Sequence, residues 1–100
     1  MGRTILRFQK FATERVEQAL DFVKVLEAGE TITGRSISAQ DEDGTDVTGT
    51  VTEAPSGSGT IVQYVLKAGT PGNKYIVDVA ATLNTTEILV QRLEMYVPLP

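Results

Sequence analysis

Between residues 74 and 83 the chain alternates without interruption. Tyr75, Val77, Val79, Ala81 and Leu83 fall on one side, and Asp78 falls on the other. Side chains of an extended strand repeat every two residues, so this segment is a strand with one face in a core. The composition agrees: 13 Thr, 11 Val and 6 Ile make 30 β-branched residues in a chain of 100, the side chains that fit a pleated, half-buried surface. A chain of this length buries roughly two-thirds of its surface on folding, enough for one core.

Turn signals divide the remainder. Residues 30–40 hold Ile32 and Ile37 on opposite phases, with Gly34 between them where a bulge restores the phase. Asp41–Asp46 contains Asp-Gly, a hairpin signal. Val47 and Val51 follow on one face, with Thr48, Thr50 and Thr52 on the other, which reads as a half-buried strand. PSGSG at 55–59 is a flexible turn, 60–66 reads as a central strand and AGTPGN at 68–73 is a second turn. The last strand puts Leu89, Leu93, Met95 and Val97 on one side, and Pro98 and Pro100 end it. No helical pattern alternates with these strands, so two antiparallel sheets packed face to face fit best.

Residues 13–28 support two readings. Thr13 caps a helix with the face Val16, Leu20, Val23 and Leu26, closed by Gly29; or a strand covers 15–22 and a short helical turn follows at 23–28. Ahead of them, residues 1–12 read as a basic arm carrying Arg3, Arg7 and Lys10, with Phe8 and Phe11 among its apolar residues. The rest, 13–100, is one β-sandwich domain.

The chemistry the chain lacks is informative. There is no Cys and no His, so thiolate nucleophiles, Cys metal sites, imidazole bases and imidazole ligands are all missing. Ser56 and Ser58 have no His to activate them. An EF-hand with Gly44 at its sixth position would begin at Ala39 and end at Thr50, neither of which is a ligand of the required kind. The acidic run Asp41, Glu42, Asp43 and Asp46 therefore reads as a solvated turn, with weak calcium binding left open. Lys67-Ala68-Gly69-Thr70 lacks the glycine-rich turn that precedes a phosphate-loop lysine. A net charge of −4 argues against phosphate-driven nucleic-acid binding, and no apolar run reaches the roughly 18 residues of a membrane span. No cofactor site and no catalytic or metal-binding residue is expected. Tyr64 and Tyr96 either face a partner or pack on the sandwich with their hydroxyls in water.

Gly72-Asn73-Lys74-Tyr75-Ile76-Val77-Asp78-Val79 is the most specific stretch. A glycine turn, a Tyr three residues later and alternating Val match the tyrosine corner of immunoglobulin-like and fibronectin-III-like sandwiches, where the Tyr hydroxyl bonds to backbone a few residues upstream. Gly72 and Tyr75 are the expected structural corner.

A wider layout joins Phe8 and Lys10 in the arm, Asp21-Phe22, Leu26-Glu27-Ala28-Gly29-Glu30-Thr31-Ile32, Asp43-Gly44-Thr45, and Gly72 to Val79. Over residues 8–97 the chain resembles small tailed-phage and prophage structural proteins of the tail or fibre-adaptor type. The resemblance implies a first strand within 13–22, a helical turn near 23–28 and an immunoglobulin-like antiparallel sandwich of about seven strands. The family usually has a Pro in the arm, where this chain has Ala12-Thr13. The expected function is a non-enzymatic part of a tailed-phage or prophage particle, made in the host cytoplasm and acting by protein–protein assembly. Phage structural proteins are the expected partners, with self-association in the particle, no nucleic acid and no membrane. Arg3, Arg7, Phe8, Lys10 and Phe11 are the expected contact residues. The alternative is a bacterial immunoglobulin- or fibronectin-like adhesion or carbohydrate-binding module. Such a module would normally belong to a long exported chain, whereas this sequence starts at Met1 without a signal peptide.

Overall fold

The computed structural model describes residues 6–99. Seven strands form two sheets: β1 (Leu6–Gln9), β2 (Val16–Asp21), β3 (Ile32–Gln40), β4 (Thr52–Ser56), β5 (Ile61–Leu66), β6 (Lys74–Leu83) and β7 (Ile88–Tyr96). One sheet has the order β1-β7-β6-β3 and the other β2-β5-β4. The chain is therefore an all-β sandwich. A single 3-10 turn, Val23–Val25, carries it from the second sheet back to the first.

The inner faces are the ones the alternation marks. Tyr75, Val77, Val79, Ala81 and Leu83 of β6 are buried, as are Leu93 and Met95 of β7 and Val97 beyond it. From the opposite sheet Val62, Tyr64 and Leu66 of β5 close the core, with Phe22 and Val51 at the strand ends. Each aliphatic side chain so buried contributes about 1.5–3 kcal/mol. β5 is the central strand of its sheet. Tyr64 belongs to its inner face, so of the two exposed-aromatic readings partner contact does not apply to it. In the β3–β6 ladder the register shifts between Ile32 and Gly34. That shift brings Ile32 and Ile37, five residues apart, onto the same packed face.

Three features depart from the sequence expectations. The segment 47–52 is not a strand: Thr48–Val51 is a helical turn, and the strand begins at Thr52. Residues four apart share a face in a strand and in a helix alike, so Val47 and Val51 fit both. Local polar bonds decide the outcome. The Asp46 carboxylate accepts both the N–H and the hydroxyl of Thr48, and the Thr52 hydroxyl donates to the Thr48 carbonyl. Such side-chain-to-backbone bonds compete with a ladder. Second, β4 runs on through Pro55 to Ser56, and its register against β5 shifts between Glu53 and Ser56. Pro tolerates this place because β4 is an edge strand. Third, the sandwich is not wholly antiparallel. β1 pairs with β7 in parallel, Leu6 opposite Leu93 and Gln9 opposite Tyr96, while the other four ladders are antiparallel. Residues 13–28 resolve as a strand followed by the 3-10 turn, as the family layout implies, but β1 makes that strand the second and not the first.

Candidate assembly surface

The N-terminal segment is fastened at one end of the sandwich. The ladder between β1 and β7 continues past Gln9, where the Lys10 N–H donates to the Tyr96 carbonyl at 3.1 Å. The Lys10 side chain then turns inward and is only 2% exposed. Its ammonium donates to the carbonyls of Phe11 and Ala68. Burial lowers the Lys10 pKa below the ordinary lysine value, partly offset by Glu14 and Tyr75.

The 68–73 turn that receives Lys10 is held from other directions as well. The Thr70 N–H donates to the Tyr75 hydroxyl at 2.8 Å, the Gly72 N–H to the Val97 carbonyl, and the Val97 N–H to the Asn73 carbonyl. Gly69 has φ +99°, and a Cβ there would lie 2.8 Å from the Val97 Cγ2 atom and 3.3 Å from the Tyr75 ring, so any other residue would be strained and would push Val97 aside. Burial alone would raise the Tyr75 pKa. The hydrogen bonds it takes up at Thr70 and Asn73 outweigh that and lower it.

Of the five expected contact residues, the three whose side chains are described do not form one patch. Arg7 is exposed on the outer face of the larger sheet, 3.6 Å from Glu94. Phe11 is 53% exposed at the end of the body. There its N–H donates to the Glu14 carboxylate and its carbonyl accepts the Glu14 N–H. Lys10 is engaged internally. Phe8 pairs through its backbone opposite Met95; its side chain and all of Arg3 lie outside the described residues.

The outer face of the larger sheet was not singled out from sequence, although the strand phases contain it. Register places Arg92 opposite Asp78 and Lys74 opposite Tyr96. The Arg92 guanidinium grips the Asp78 carboxylate through two bonds of 2.8 and 3.0 Å. Farther along, Val90 stands opposite Ala80 and Ile88 opposite Thr82. This face therefore carries charges at Arg7, Glu94, Arg92 and Asp78 and uncharged side chains at Ala80, Thr82, Val90 and Ile88, the last 61% exposed. On the other sheet Arg15 reaches across to Glu53 with bonds of 2.8 and 2.9 Å and to Glu17 at 3.3 Å, lining a shallow polar hollow with Gln18, Ser56 and Gln63.

The acidic turn is occupied with its own backbone. Asp41 accepts the N–H groups of Asp43 and Thr45, Glu42 accepts that of Lys74, and Asp46 accepts that of Thr48. Among the described residues no group of three or more Asp and Glu is placed to hold a metal ion. Nor is any helix among them long and apolar enough to cross a membrane.

Residues 10–96 match the family described as podophage GP4 fiber-tail adaptor protein gp77. The match runs from Lys10 to the last residue of β7. No curated protein matches the chain.

Proposed function

The chain belongs to the podophage GP4 fiber-tail adaptor protein family, gp77, and from that premise we propose that it joins tail and fibre components by protein–protein contact alone. A rigid sandwich, without catalysis, holds surfaces in fixed relation. The absence of His and Cys from the sequence supports that reading. The immunoglobulin-like identity of the sandwich is supported by its strand order. The β2-β5-β4 sheet corresponds to strands B, E and D, β3, β6 and β7 correspond to C, F and G, and Tyr75 sits where the corner Tyr begins strand F. The protein acts as a virion component made in the host cytoplasm, and repetition in a ring or tube gives it copies of itself as neighbours.

One observation carries the contact reading. The N-terminal strand is built onto the sheet edge with Lys10 anchored, yet Arg7 and Phe11 remain on the surface. Arg3, Arg7, Phe8 and Phe11 then form the segment that meets the neighbour, and Lys10 sets its path. The test is a chain carrying Arg7→Glu and Phe11→Asp, offered to adaptor-free particles. Its stability should fall by no more than about 1 kcal/mol, because Arg7→Glu loses an exposed ion pair with Glu94 and sets like charges opposite each other. Its incorporation should fall roughly tenfold or more, the loss expected when central contacts are removed. Incorporation equal to wild type would remove this segment from the interface.

A further inference from the structure

The strand β1 stands at the edge of its sheet, and its ladder with β7 is four residue pairs long. Of its described side chains Leu6, Arg7 and Gln9 are exposed. Among the described groups, attachment rests on backbone pairing to Leu93–Tyr96, on the Arg7–Glu94 pair, and on the Lys10 ammonium at the Ala68 carbonyl. Every one of these receiving groups is present on every copy of the chain. A β1 from a second copy would make the same bonds in the same register.

The connection between β1 and β2 allows such a move. Residues 11–15 are folded back by a turn made of two bonds, Phe11 N–H to the Glu14 carboxylate and Glu14 N–H to the Phe11 carbonyl. Straightened, five residues span about 17 Å. The body measures 46 × 25 × 20 Å, so a connection of that reach, shorter than the smallest dimension, meets the β7 edge of a neighbour only where the two bodies lie directly against one another. We propose that copies of this protein exchange β1: residues 6–10 of one copy pair with β7 of its neighbour, with Lys10 seated on the neighbour's Ala68 carbonyl. Exchange conserves the ladder and the lysine anchor and gives up the Phe11–Glu14 turn together with the packing of Ala12 against the core. It is the low-cost route to association that an edge element on a short hinge provides. Repeated head to tail, it ties a ring together through backbone bonds, which is what a part bearing load between tail and fibre requires. This extends the adaptor reading by naming the neighbour as a second copy.

The chain has no native Cys, so engineered thiols report without background. Arg7 and Glu94 are ladder partners, and neighbouring strands lie about 4.8 Å apart, within the Cα separation a disulfide accepts. Full-length chains carrying Arg7→Cys and Glu94→Cys singly are mixed, concentrated and oxidised. The reference is Arg7→Cys with Ser58→Cys, an exposed position in the β4–β5 turn. Exchange predicts that the Arg7→Cys/Glu94→Cys species forms several-fold faster than the reference, and that adding Glu14→Ala, which unfastens the turn, raises it further. Gln9→Cys with Tyr96→Cys reads the pair two positions along the ladder if either single variant misfolds. Mixed disulfide no faster than the reference, while the double Arg7→Cys/Glu94→Cys chain closes on itself, overturns the exchange. If the wild-type chain still incorporates into particles, that result leaves the adaptor reading standing.

Discussion

The Lys10 ammonium donates to the carbonyl oxygen of Ala68, 58 residues farther along the chain. This bond joins the N-terminal strand to the turn ahead of β6, and so links the edge of the larger sheet to the segment that positions Tyr75. A charged donor is kept there despite burial because it meets two carbonyls at once.

Lys10→Met keeps the apolar stem and removes the donor. The Phe11 and Ala68 carbonyls then lose a partner in a part-buried place, which costs about 1–3 kcal/mol. In a domain of this size the melting temperature falls by roughly 4–8 °C for each kcal/mol. Thermal denaturation of the two chains measures it. An unchanged melting temperature would mean that the lysine is seated but contributes nothing to stability.

Tyr75→Phe removes the acceptor of the Thr70 N–H and should cost about 0.5–1.5 kcal/mol. Lys10 and Tyr75 act on the same short turn, so their losses should not add. A double-mutant cycle should give a coupling of at least ~0.5 kcal/mol. Simple additivity would show that the two attachments hold the turn independently.

The elements that read clearly in the sequence are those whose surroundings act on one residue at a time. β6 has an unbroken inner row from Tyr75 to Leu83, and the two sheets and their core follow from rows of that kind. β1 is hidden because a four-residue parallel edge strand carries no long alternation, and its described side chains, Leu6, Arg7 and Gln9, are all exposed. Thr48–Val51 was hidden because Val47 and Val51 satisfy both periods, and the deciding groups are the Asp46 carboxylate and the Thr48 hydroxyl. The seat of Lys10 was invisible for a different reason. Nothing near position 10 announces Ala68, and only the folded register brings them together.

Gly69→Ala and Gly29→Ala separate strain from collision. Both positions have positive φ, but a Cβ at Gly29 meets nothing within 4 Å, whereas one at Gly69 meets Val97 at 2.8 Å. Gly29→Ala should cost about 1 kcal/mol, the left-handed penalty alone. Gly69→Ala should cost roughly 2–4 kcal/mol, because strain and overpacking combine. Urea denaturation ranks the two, and equal losses would mean that the 68–73 turn yields around the added methyl.

Acid should weaken the fold through three carboxylates. Asp21 is held below the usual range by the Thr60 hydroxyl and the Val23 N–H, Asp46 by the hydroxyl and N–H of Thr48, and Glu53 by Arg15. A carboxylate whose folded pKa is depressed stabilises fully above its unfolded value of about 4. That stability is lost as pH falls through the folded value, because the unfolded chain binds more protons across the interval. Urea midpoints taken from pH 7 downward should therefore hold steady to about pH 5 and then decline. Asp46→Asn keeps an acceptor for Thr48 but removes the titration. Its midpoint should start below wild type at neutral pH, decline less, and meet the wild-type curve in strong acid. Parallel curves across the whole range would show that the Asp46 charge adds nothing to the helical turn it begins.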